Sequence, residues 1–177
     1  MKYTLSGIVC LVLFYSGHAL ADDLPPLTVV DRVELERYLG KWYEIASYPA
    51  WFQKGCTGST AEYSMLPKGK IRVLNRCFKE SLDGPIKESR GKGIVVDKET
   101  NAKLKVGFFL WFKGNYWIID LDPDYQWAVV GEPKRKYLWI LSRTPTMDET
   151  AYAGIISRLK EKHYDPERLQ KTAQPAE

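Results

Sequence analysis

Apolar and polar positions alternate with a period of two through most of the chain, and the alternation breaks at short, regular intervals. Segments rich in Val, Ile, Tyr, Trp and Phe occupy 42–48, 59–65, 71–78, 88–97, 102–109, 116–122, 125–130 and 137–142. Turn signals such as Pro67-Lys68-Gly69 and Asp122-Pro123-Asp124 separate them. Eight short strands with hairpin-length connections predict an all-β fold, either a sandwich or an eight-stranded antiparallel up-and-down barrel. Gly91 and Gly93 lie two apart, hence on one strand face, where a closing sheet can bend sharply. That favours the barrel.

The period changes twice. Before the strands, 31–39 suits a short helical turn, with Asp31 as cap, Glu34 three residues on and Gly40 as terminator. After them, Thr146 and Glu149 form a capping box, and Tyr152, Ile155, Ile156, Leu159 and His163 recur on one helical face. Lys160 and Lys162 suit the dipole at the far end, and Asp165-Pro166 stops the helix. Gly154 inside it predicts a close packing contact. A single amphipathic α-helix following a run of strands is expected to pack outside the barrel. A short last strand is also readable around 168–172.

The N-terminus changes where the protein is expected to work. Lys2, an apolar run from Leu5 to Tyr15 and the Ala19-Leu20-Ala21 site read as a cleaved export signal over 1–21, too short to span a bilayer. Residues 22–30 form a Pro-containing extended leader, and 31–177 a single domain. Cys10 lacks a lipobox, since Gly7 and Val9 hold the positions that matter, so no lipid anchor is expected. The mature chain keeps Cys56 and Cys77, and an even count in an oxidising compartment points to a disulfide.

Charge and candidate chemistry narrow the function classes by exclusion. The 26 basic and 22 acidic residues become 25 and 22 once Lys2 is removed, a mild, scattered excess that suggests no nucleic acid but allows contact with anionic lipid headgroups. His18 leaves with the signal, so His163 is the one mature histidine, and neither a hydrolytic triad nor a His/Cys metal site can be assembled. No catalytic residue, metal or cofactor is expected. The aromatics are the positive signal: six Trp, eleven Tyr and six Phe, most of them on strand segments. An eight-stranded barrel either fills its interior or holds one small ligand, and an aromatic lining suits an apolar one. Trp51-Phe52 and Phe108-Phe109-Leu110-Trp111-Phe112 place large apolar groups at turns, as a pocket rim, a membrane or partner contact, or ordinary packing.

Three motifs then occur in a familiar order. Gly40-Lys41-Trp42-Tyr43 resembles the G-x-W-Y of lipocalins, Asp122-x-x-Tyr125 their second conserved region, and Arg143 their third. The segments 37–46 and 138–145 resemble the bacterial outer-membrane branch close to apolipoprotein D. The resemblance covers essentially the whole mature chain. It implies a barrel floor closed by Trp42 with Arg143 stacked on it. Period two then carries Glu44, Ala46 and Tyr48 inward with Trp42, and Trp139 and Leu141 inward with Arg143. Tyr116, Ile118, Val106 and Phe108 are further wall candidates, with Trp51 and Phe52 at the rim. An inward Glu44 needs either a salt bridge or a ligand headgroup. Cys56 could instead be a wall thiol of the kind prostaglandin-synthesising lipocalins use, but Cys77 faces roughly Thr60 across the hairpin, and a bond to Cys56 follows if the loop curls back.

The implied function is binding, storage or transport of a small hydrophobic ligand of the fatty acid or lysophospholipid class. The implied setting is the periplasm, in association with the outer membrane, as a monomer or homodimer. The alternatives are a Cys56 thiol enzyme and an interaction protein with a filled barrel.

Overall fold

A computed structural model describes residues 24–109 and 112–175; the segment read as an export signal, and Leu110 and Trp111 of the second aromatic cluster, lie outside them. The strands are β1 (Gly40–Ser47), β2 (Cys56–Leu66), β3 (Lys70–Lys79), β4 (Ile86–Val95), β5 (Lys103–Phe109), β6 (Phe112–Leu121), β7 (Trp127–Gly131), β8 (Leu138–Ser142) and a short β9 (Gln170–Lys171). Helices α1 (Leu35–Tyr38) and α2 (Glu149–Glu161) flank the main run. Each of β1 to β8 pairs antiparallel with the next, and β1 pairs with both β2 and β8. The sheet therefore closes on itself as an eight-stranded up-and-down barrel. Closure removes the exposed edges that an open sheet would present.

Next-neighbour order sorts the loops into two ends. The turns at 66–70, 96–102 and 122–126 share one end with α1 and Arg143. The connections at 48–55, 79–86 and 132–137 share the other, with the last residue of β5 and the first of β6. The apolar residues form two layers. Inside the barrel lie Trp42, Tyr63, Ile71, Val73, Leu104, Ile118, Ala128, Val130 and Leu141, with Val33 and Tyr38 of the N-terminal segment closing one end. Outside, Ala46, Tyr48, Ile119, Val129, Leu138 and Ile140 are covered by Ile155 and Leu159 of α2 and by Tyr164.

Two bulges decide which residues enter which layer. On β1 the register shifts between Glu44, opposite Leu141, and Ala46, opposite Ile140. The extra residue, Ile45, reverses the alternation: Trp42 and Glu44 face inward, whereas Ala46 and Tyr48 face outward beneath α2. The expectation that Ala46 and Tyr48 line the interior is thus corrected. On β6 a second shift, between Ile118 and Asp120, leaves both Ile119 and Asp120 facing outward, where Asp120 meets Arg158 of α2, and returns Leu121 to the interior with Ile118.

The helix caps also differ from expectation. α1 is one turn whose N-cap position is Glu34, with no side-chain cap; Asp31 lies too far back. In α2 the cap is Asp148, whose carboxylate accepts from the Ala151 N–H at 2.9 Å, rather than Thr146. His163 lies beyond the helix at φ 60°, exposed, and does not continue the apolar stripe; Tyr164 takes the buried place. The close contact expected at Gly154 is with the Arg158 guanidinium of the same helix, at 3.2 Å from an added Cβ, and not with the barrel.

Candidate ligand-binding site

The floor of the barrel is a cation over an indole. Trp42 is fully buried, and the Arg143 guanidinium carbon sits 3.7 Å from its ring centroid. Arg143 donates to three backbone carbonyls: Arg37 at 2.6 Å, Lys41 at 3.0 Å and Tyr125 at 3.2 Å. It therefore ties α1, β1 and the β6–β7 turn into one closure. Gly40 makes room, because its φ of 93° suits glycine and a Cβ there would stand 3.4 Å from the guanidinium. Asp122 shapes the turn by accepting from the Asp124 and Gln126 N–H groups. The Tyr125 hydroxyl accepts from the Glu34 N–H at 2.9 Å, holding the segment that leads into α1.

Above the floor the side chains close on a small apolar cavity of about 10 Å³. Leu35, Leu39, Ile71, Val73, Leu104, Val106 and Ile118 line it, together with Gly93, Tyr38, Tyr63 and Tyr116. Phe108 leans over the inner face of Gly91, where an added Cβ would stand only 2.9 Å from its ring. The polar atoms in this region are three phenol oxygens, Tyr116 being 2.7 Å from Tyr38 and 2.9 Å from Tyr63. Burial pushes the Tyr63 phenol up to about 12 and holds Tyr38 and Tyr116 well above the ordinary 10.

The opposite end is a mouth framed by aromatic rings. Trp139 stacks on Tyr137 at 5.9 Å, and Phe52 touches both, at 6.4 and 5.6 Å. Trp51 meets Phe52 edge-on and is 79% exposed, so it points away from the interior. Beneath the rings a polar network fixes Glu44, which is 7% exposed. Its carboxylate accepts from Thr172 (2.7 Å), Gln53 (2.8 Å) and Ser47 (3.0 Å), and the Gln53 carbonyl in turn accepts from the Trp139 indole at 2.8 Å. Among the described residues no salt bridge involves Glu44, so neutral donors take the place of the expected ion pair.

A seam explains where those donors come from. β2 leaves β1 after Tyr43, and β9 pairs with β1 at Ala46 and Ser47 instead. The tail that follows fills the gap: Gln174 donates to the Glu44 and Ser59 carbonyls, and Gly58 donates to Ala173. Next to the seam the Cys56 and Cys77 sulfurs are bonded, 21 residues apart in sequence.

A lipocalin-like domain family matches residues 33–174, which is most of the chain and all of the barrel. The chain belongs to the lipocalin family. It is 42% identical over 156 residues to temperature-induced lipocalin-1 of Arabidopsis thaliana, covering 84% of this chain and 83% of that one. To the outer membrane lipoprotein Blc of Vibrio cholerae it is 40% identical, covering 92% and 93%. To apolipoprotein D of Mus musculus it is 31% identical, covering 97% and 92%. Among solved structures, insecticyanin from the tobacco hornworm Manduca sexta shares the fold with a TM-score of 0.70 at 18% identity, covering 85% and 86%.

The lipocalin motifs thus sit where the family resemblance implied. Trp42, Arg143, Gly40, Asp122 and Tyr125 build the floor and its supports. Of the wall candidates, Tyr116, Ile118 and Val106 line the cavity, Leu141 and Trp139 belong to the interior layer, and Glu44 is held under the mouth. Phe52 and Phe108 stand at or near the rim, Trp51 faces solvent, and Ala46 and Tyr48 lie outside the barrel. Tyr38 and Tyr63 were missed. Tyr63 pairs across the hairpin with Val73 and shares a face with Ala61, opposite Trp42. Period two counted back from Trp42 could have found it.

Proposed function

We propose that this lipocalin carries single-chain amphiphiles, fatty acids or lysophospholipids, in the bacterial cell envelope, with the acyl chain in the barrel and the polar head at the mouth. The observation that carries the reading is the apolar lining that β2, β3, β5, β6 and α1 present to the barrel interior, around a cavity of about 10 Å³ that an entering chain would widen by displacing side chains. Each methylene that leaves water for such a lining contributes about 0.8 kcal/mol before ordering costs. At the mouth the Lys136 ammonium lies 5.6 Å over the Tyr137 ring, beside Trp139, where an anionic carboxylate or phosphate could meet it. The envelope setting is supported by the relatives named outer membrane lipoproteins.

The protein acts in this reading as a binder and not as an enzyme. A wall thiol at Cys56 would need a free sulfur, and that sulfur is bonded to Cys77. The test is native mass spectrometry of protein purified without delipidation. The expected result is a population carrying the mass of one lipid, removable by organic extraction and restored by adding a fatty acid. Protein that is always empty and takes up neither fatty acid nor lysophospholipid overturns the reading.

A further inference from the structure

The deep end of the cavity holds three phenols whose protons do not balance. Tyr38 and Tyr63 each contact Tyr116, at 2.7 and 2.9 Å, and these are the hydrogen bonds their hydroxyls make among the described residues. Three hydroxyls carry three protons, and two contacts use two of them, whichever way each points. One O–H is therefore left over. Around it stand Leu104, Val106, Ile118, Ile71 and Val73, none of which offers a side-chain acceptor. An unused donor in such surroundings is costly, and the site lies far from the mouth. Tyr38 is 5.0 Å from Trp42 of the floor, and Tyr63 is opposite Gly40 at the closed end of β1.

We propose that this hydroxyl relay is an oxygen-reading subsite, which donates a hydrogen bond to a neutral oxygen, such as a ketone or hydroxyl, near the buried end of the bound chain. The inference rests on the carrier reading above and adds a selectivity to it: the barrel distinguishes chains oxygenated towards the tail from saturated ones. The oxygen must be neutral because, among the described residues, no cation has a free donor to offer the site. Arg143, the guanidinium at this end, is stacked on Trp42 and bonded to three carbonyls. An ionised carboxylate at the relay would be buried without a partner. Burial keeps all three phenols protonated at neutral pH, so they act as donors and not as phenolates.

The test uses the full delipidated chain and calorimetric titration with a homologous series of saturated fatty acids. Each acid is measured beside its counterpart carrying a ketone next to the terminal methyl. The readout is the ratio of oxo-acid to parent-acid affinity at each chain length. Replacing all three tyrosines (Tyr38→Phe, Tyr63→Phe, Tyr116→Phe) removes every donor at almost constant volume. At the length where the ketone reaches the relay, the ratio is expected to fall about 10-fold from wild type to this variant, whatever happens to the parent affinity, which the ratio divides out. Tyr116→Phe alone removes both internal contacts and leaves two unpaired donors, so there the ratio is expected to rise. Should the triple variant not fold, the direction in Tyr116→Phe decides. Parent acids that bind, with a ratio unchanged by either substitution at every length, overturn the subsite and leave the carrier reading standing. Failure of both series to bind wild type overturns both.

Discussion

Replacing Arg143 by alanine should unsettle the barrel floor more than a half-exposed charge would suggest. The substitution removes a guanidinium 3.7 Å from the Trp42 centroid and three donors, to Arg37, Lys41 and Tyr125. The cation–π contact is worth about 0.5–2 kcal/mol. Hydrogen bonds from a charged donor contribute about 1.5–3 kcal/mol each when buried. Two of these three are exposed enough for water to replace the donor, so the lower end applies. The total is about 3–4 kcal/mol, which for a chain of this size lowers Tm by about 6–16 °C. Urea unfolding followed by near-ultraviolet circular dichroism measures the loss, and a cycle with Trp42→Phe isolates the stacking share at about 1 kcal/mol. Arg143→Lys should recover only part of the stability, since an ammonium cannot span three carbonyls. An Arg143→Ala protein within about 0.5 kcal/mol of wild type would refute the reasoning.

Two further predictions concern stability. The Cys56–Cys77 bond spans 21 residues, so removing it (Cys56→Ala with Cys77→Ala) should cost about 3 kcal/mol by loop-closure entropy, seen as a lower urea midpoint; an unchanged midpoint contradicts this. Tyr63 titrates at about 12 in the fold and near 10 when unfolded, so its contribution is complete below pH 10 and is lost as pH rises towards 12. Above pH 10 the unfolded chain binds fewer protons, and stability should fall by about 1.4 kcal/mol per pH unit for each such tyrosine. The Tyr63→Phe protein should show a shallower fall, and an identical slope would count against the burial of this phenol.

Much of the fold was legible because it depends on local pattern. Alternation located all eight barrel strands, the change to a helical period located α2, and the cysteine count pointed to the bond that is found. The floor was legible from Trp42 and Arg143 through the family motifs. What escaped the sequence was set by single residues that carry no signature. Ile45 inserts into β1 with neither glycine nor proline to announce it, and by reversing the alternation it moves Ala46 and Tyr48 out of the lining. The partners of Glu44 also escaped, since Thr172 lies 128 residues away and arrives only because the tail fills the seam between β1 and β2. The phenol relay joins α1, β2 and β6, and its protons can be counted only once the three oxygens are placed.

The central claim is that ligand enters the barrel cavity, and filling that cavity tests it most directly. Val106→Trp places an indole between Leu104 and Phe108 on the lining and overpacks it, so circular dichroism first establishes that the variant is folded. Calorimetric titration of the delipidated wild type with palmitate is expected to show one site per chain and a negative heat-capacity change from apolar burial. The folded Val106→Trp protein is expected to show neither. Equal stoichiometry and affinity in the two proteins would place the ligand elsewhere and contradict the account.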